Sequence, residues 1–96
     1  MRRAAKADTN QPAIVQAMRS VGAKVQHTHQ IGGGFPDLIV WAKGRTFLVE
    51  VKKPGEKLNA QQVEFIATWP GEVHVVHNEQ EAVKAVTGIW ETITQA

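Results

Sequence analysis

Asp37, Glu50 and Lys52 are the residues whose types and spacing could do chemistry in this chain. Asp37 opens the apolar run Leu38-Ile39-Val40-Trp41. Glu50 follows the run Thr46-Phe47-Leu48-Val49, and Val51 and Lys52 come next. Between the runs, Lys43-Gly44 is a turn candidate. If these two residues form the loop of a tight hairpin, Ala42 faces Arg45, and stepping back along the ladder brings Asp37 opposite Glu50. Side chains alternate with period two along a strand, so Lys52 shares their face. Two carboxylates placed opposite each other repel, and a divalent cation between them reverses the sign of the interaction. Mg²⁺ takes oxygen ligands, usually one or two carboxylates plus waters and substrate phosphates. Such an ion polarises a phosphodiester and lowers the pKa of a bound water. A lysine beside it can orient or deprotonate that water, or stabilise charge on the phosphate. The same residues also admit a plain reading. Lys52 can pair with Glu50 or Asp37 as a strand-end ion pair, Asp37 can be a turn residue after Pro36, and a longer loop would shift the register.

The elements that must position these groups follow from pattern. Residues 1–9 read as a basic, flexible arm and residues 10–96 as a single domain. Thr9 or Asn10 can cap a helix, and Pro12 is tolerated in its first turn. Ile14, Met18 and Val21 recur at helical spacing, and Gly22 ends the helix. Lys24 to Gln30 alternates weakly and is predicted as a strand. Ile31-Gly32-Gly33-Gly34 is a flexible connection, leading to strands over Asp37–Trp41 and Thr46–Val51. Both runs are nearly continuously apolar, which predicts a central sheet covered on both faces. Asn59 caps a second helix with Val63, Ile66 and Trp69 on one side, stopped by Pro70-Gly71. Glu72 to Val76 is a short strand. Asn78 caps a last helix carrying Val83 and Val86, interrupted at Gly88, with Ile89, Trp90 and Ile93 beyond. The predicted class is mixed α/β: helix, three strands, helix, strand, helix.

Bulk properties bound the function. At 96 residues the chain makes one compact domain, and 43% hydrophobic with 21% charged residues is ordinary for a globular one. A domain of this size buries only about 60–65% of the surface its unfolded chain exposes. A long polymer lying across the surface suits it better than a deep pocket with a lid. The absence of cysteine excludes disulfides, thiolate chemistry and Cys-type zinc sites, and is compatible with a reducing cytoplasm. No apolar run approaches the ~20 residues of a membrane span. No apolar signal-peptide stretch follows the basic start. A net charge of +2 says little about nucleic acid. Its distribution says more: Arg2, Arg3 and Lys6 form one group, and Lys52, Lys53 and Lys57 another. Either group is also compatible with a solvated surface.

These residues carry a recognisable pattern. Phe35-Pro36-Asp37, followed after a hairpin-length gap by Glu50-Val51-Lys52, resembles the PD-(D/E)XK nuclease superfamily, with its restriction-endonuclease-like core and mixed central sheet. More narrowly, Gly33 to Val40, Leu48 to Lys52 and the segment Leu58-Asn59-Ala60-Gln61-Gln62-Val63-Glu64-Phe65 are similar to a stand-alone VRR-NUC (virus-type replication-repair nuclease) domain. Such minimal versions are common in phages and prophages. The resemblance implies a phosphodiesterase acting on DNA with Mg²⁺ or Mn²⁺ as cofactor. It implies Asp37, Glu50 and the Val51 carbonyl as metal ligands, Lys52 as the catalytic lysine, and Gln62 at the edge of the site. Many relatives have a glutamate in the first helix; here the place holds Asn10-Gln11, with Gln11 the better match. An amide brings no charge, so the carboxylate count favours one metal ion.

The expected function is therefore Mg²⁺-dependent hydrolysis of DNA, as a structure-selective endonuclease for branched or junction DNA. Arg2, Arg3, Lys6, Lys53 and Lys57 are expected on the phosphate backbone. By family analogy a homodimer is expected, since two active sites can cut symmetric strands; the apolar tail at Ile89, Trp90 and Ile93 points the same way. The expected location is the cytoplasm, that of a bacterial host if phage-encoded. The alternative is a module that binds DNA junctions or ends with this fold and little catalysis. Other residues have ordinary readings. Gln62 fits a capping box with Asn59 as well as an active-site contact. His27 and His29 share a strand face but lack further zinc ligands nearby. His74 and His77 are expected at the surface. The triple glycine is no phosphate-binding loop, because no Gly-Lys-Ser/Thr follows. Trp41, Phe65 and Trp69 are expected in the core more than as base-stacking platforms.

Overall fold

The computed structural model describes residues 9–88. Arg2, Arg3 and Lys6 and the tail residues Ile89, Trp90 and Ile93 lie outside the described residues. The elements run α1 (Gln11–Ser20), β1 (Lys24–His27), β2 (Leu38–Ala42), β3 (Arg45–Val51), α2 (Ala60–Thr68), β4 (Val73–Val76) and α3 (Glu79–Thr87). This is the predicted order. The strands form one mixed sheet in the order β1-β2-β3-β4, antiparallel except for the parallel β3–β4 pair. Among the described residues no helix is long and apolar enough to cross a membrane.

The β2–β3 hairpin closes as its turn residues require. Lys43 and Gly44 both have positive φ, 53° and 77°, the pattern of a two-residue type I′ loop. Ala42 pairs with Arg45 and Leu38 with Val49, so the expected register is the observed one. Side-chain parity then sorts the two faces. Leu38, Val40 and Ala42 join Phe47, Val49 and Val51 in the core with Val25, Val76 and the inner residues of α1 and α3. Leu48, Glu50 and Lys52 point to the other face and are also buried, which makes β3 the strand covered on both sides.

Coverage of both faces does not extend over the whole sheet. Trp41 is 39% exposed, and α2, which faces the Glu50 side, has no buried residue. Its expected apolar side is corrected: Val63 is 52% exposed, while Phe65 stacks on Trp69 with Phe35 edge-on to both. Trp41, Phe65 and Trp69 thus stay out of the buried core, because α2 rests on an aromatic cluster near its end instead of sinking a stripe into the sheet. The first strand is shorter than expected. After His27 the chain turns: Thr28 Oγ1 donates to the Pro36 carbonyl and Ile31 N–H to the Thr28 carbonyl. His29 therefore lies beyond the strand, its ring T-shaped against His27.

Arg45 ties the hairpin to α3. It donates to the Ala85 and Val86 carbonyls at the helix end, where cations are favoured, and it pairs with Glu72 at 2.6 Å. The Arg45 guanidinium holds the Glu72 carboxyl below the usual carboxylate range, against partial burial and with help from His74. His74 and His77 are half-buried and sit on Glu72 and Glu81.

Candidate active site

The site forms where β2 and β3 part. Leu48 and Lys52 donate their backbone N–H groups toward β4, to the Glu72 and Val76 carbonyls. By ladder alternation, Val49 and Val51 face β2. Val51 N–H does not reach a β2 backbone carbonyl; at 2.9 Å it meets Oδ2 of Asp37. The aspartate side chain therefore occupies the place of the next ladder partner, and the strands splay around it. The Val51 carbonyl, on the same side of its residue as the N–H, faces the same gap. The backbone of Asp37 is fixed from the other side, since its carbonyl accepts from Thr28 N–H at 2.7 Å.

Continuing the register one step past Leu38–Val49 puts Asp37 opposite Glu50. Glu50 is 3% exposed. Its Oε2 accepts from Gln62 Nε2 at 2.9 Å and lies 3.9 Å from Lys52 Nζ. Lys52, 8% exposed, also lies 3.9 Å from Glu56. Asp37, Glu50, Lys52 and Gln62 are thus brought together. The ion-pair reading of Lys52 is geometrically real, but burying both charges costs several kcal/mol per ion in desolvation, so stability is a weak reason for it. The two readings of Gln62 coexist: its backbone N–H and side chain complete the capping box with Asn59 while Nε2 holds Glu50. The capping box fixes the glutamine's backbone at the first turn of α2, which is what lets its side chain reach the sheet.

Gly34 sets how close α2 comes. Its φ is +86°, and a Cβ there would lie 2.5 Å from the Gln61 carbonyl oxygen. Gly34→Ala is expected to cost about 1–3 kcal/mol of strain and to push α2 outward, weakening the Gln62–Glu50 contact. Chemical denaturation, with amide NMR shifts of Gln62 as the local readout, checks both parts.

The first-helix residues correct one expectation. Asn10 precedes α1 in αR geometry and makes no side-chain cap. Its Nδ2 instead donates to the carbonyls of Lys52 and His77, pinning the chain as it leaves β3 and β4. Gln11 is 1% exposed and contacts His27 Nδ1 at 3.0 Å. Lys53 and Lys57 are exposed on the loop between β3 and α2. Sequence reasoning missed these roles of Asn10 and His27. No local pattern signals them, because the contacts join residues 16, 42 and 67 positions apart.

The residues present fit a divalent ion. Two carboxylates opposed by the register and a backbone carbonyl offer only oxygen donors, and the Gln11 Oε1 is buried with no hydrogen-bond partner among the described residues. No group of three or more His, Cys, Asp or Glu side chains able to hold a metal occurs among the described residues. The donor set is thus the two-carboxylate kind that suits Mg²⁺ more than the N/S set that suits zinc.

Comparison with known proteins agrees with this geometry. The model of the VRR-NUC domain family matches residues 3–79. A solved structure described as a VRR_NUC domain superposes with a TM-score of 0.68 at 23% identity, covering 83% of this chain and 92% of that one, which supports the fold. No curated protein matches the chain. With the family's match spanning most of the sequence, the chain belongs to the VRR-NUC family and carries a nuclease-type domain for DNA.

Proposed function

We propose that this protein is a divalent-metal-dependent endonuclease that selects branched or junction DNA by structure. The observation that carries the reading is the group formed by half-buried Asp37 with buried Glu50 and Lys52 at the splayed end of the hairpin. Asp37, Glu50 and the Val51 carbonyl would hold Mg²⁺ or Mn²⁺, which when bound polarises a phosphodiester and acidifies a water. The chain's own residues do the rest. Val51 N–H and Gln62 Nε2 each take one carboxylate oxygen and so orient the two acids. The Lys52 ammonium holds the attacking water or balances charge on the phosphate. Lys53 and Lys57, with Arg2, Arg3 and Lys6, serve as phosphate contacts that supply affinity without sequence. Assays on plasmid, linear and four-way branched DNA, with EDTA, Mg²⁺ or Mn²⁺, test the reading. Cleavage that persists in EDTA, or no cleavage with either ion, counts against it.

The second reading is a DNA-junction or DNA-end binding module with little catalysis. The amide at Gln11, where many relatives carry an acid, favours it. Tight binding of branched DNA without cleavage in either metal would select it.

The working unit is proposed to be a homodimer, with the host cytoplasm of a phage or prophage as its setting. Ile31, Trp41, Val63 and Trp69 leave apolar surface exposed, and a domain with a thin core gains by covering it. Sedimentation should show a dimer at tens of micromolar, roughly where a weak interface appears; a monomer there removes the idea.

A further inference from the structure

His27 has no part in the site as described, yet it holds Gln11. Gln11 is 1% exposed at the first position of α1. Its Nε2 lies 3.0 Å from His27 Nδ1, and its Oε1 has no partner among the described residues. As the amide is oriented, its nitrogen donates and Nδ1 accepts. Leaving a buried amide oxygen unmatched is costly, so the position calls for a donor that the described residues do not supply. The neighbours of the pair lie against the two strands that carry the site. The preceding residue, Asn10, holds the carbonyl of Lys52. The residue after His27, Thr28, holds the carbonyl of Asp37. Gln11 and its partner thus follow and precede the residues that hold the two backbones carrying the site.

We infer that His27 is a positioning residue: it grips the Gln11 amide by the nitrogen and so turns Oε1 toward the hydration shell of the ion held by Asp37 and Glu50. The inference rests on the metal reading of the site. The reason for the pair is chemical. A carboxylate presents an oxygen whichever way it turns. An amide has two unlike ends, so a site with glutamine at this place needs a group that sorts them. A ring nitrogen that accepts is such a group, and it leaves the oxygen for a water proton.

The test combines metal-free NMR with Mn²⁺ calorimetry. In metal-free protein, ¹⁵N shifts of His27 should show Nδ1 unprotonated and accepting, and Gln11→Leu should move that resonance. His27→Phe keeps a ring and removes the acceptor. It should weaken Mn²⁺ binding about 10-fold, the low end for loss of a group that orients a metal site. His27→Asn, whose amide can place an oxygen at the Nδ1 position, should restore most of the affinity. In a Gln11→Glu background, His27→Phe should leave Mn²⁺ affinity unchanged or raise it, because the carboxylate needs no sorting. A protonated Nδ1 in the metal-free protein overturns the inference. So does an equal loss in both backgrounds, which would make His27 a packing residue only. If the unsubstituted protein binds Mn²⁺ and His27→Phe changes nothing, the inference alone fails. If the unsubstituted protein binds no Mn²⁺, the metal reading fails and takes the inference with it.

Discussion

Lys52→Ala is expected to lower single-turnover cleavage by roughly 10²–10³-fold, the effect of losing a charge-stabilising group from an active site, while Mn²⁺ binding and most DNA affinity remain. In the proposed site the ammonium is not a metal ligand. It sits 3.9 Å from Glu50, inside the site, at 8% exposure. In the proposed mechanism its field would act on the reacting phosphate through little water, where no exposed lysine could replace it. DNA affinity, in contrast, is proposed to be spread over several cations, so one fewer should cost little. Removing Arg2, Arg3 and Lys6 should do the reverse: weaker binding and a shallower salt dependence, with the single-turnover rate at saturating protein nearly unchanged. Filter binding and quenched-flow cleavage on the same branched substrate separate the two. Equal loss of binding and cleavage in Lys52→Ala would reduce Lys52 to a phosphate anchor and favour the non-catalytic reading.

Glu50→Gln should abolish most metal binding and, with it, activity. Groups that merely orient metal ligands are worth about 10–100-fold in affinity, so losing one of the two proposed anionic ligands should cost at least about 100-fold. Titration calorimetry with Mn²⁺ measures this directly, and unchanged binding would remove Glu50 from the site. The effect on stability is a separate matter. Opposed carboxylates alone predict that deleting one charge relieves repulsion. The structure reverses that sign, because Glu50 is the nearly buried partner of Lys52, and Glu56 at 3.9 Å is a more exposed substitute. A loss of about 1–3 kcal/mol is expected, the cost of weakening a buried polar partnership, with the fold retained. Urea denaturation of the metal-free protein checks it.

By itself the sequence determined the order of elements and, given a two-residue loop at Lys43-Gly44, the pairing at the heart of the site. Both follow from local rules. A two-residue loop at Lys43-Gly44, here with positive φ at both positions, sets one register, and period-two alternation then carries Asp37, Glu50 and Lys52 to one face. Asn59 and Asn78 were legible as caps for the same reason, since each bond spans three residues. The tertiary structure alone decided the rest. That Asp37 replaces a ladder partner of Val51 depends on two strands parting. That Asn10 abandons its helix for Lys52 and His77, and that Gln11 meets His27, depend on where α1 docks. That Val63 is exposed while Phe65 and Trp69 stack depends on how far Gly34 lets α2 approach. A hydrophobic pattern fixes which face of a helix is apolar, but not how deeply that face sinks or which distant polar group it meets. Those outcomes are set by side-chain volumes and unpaired hydrogen-bonding groups on elements far apart in the chain.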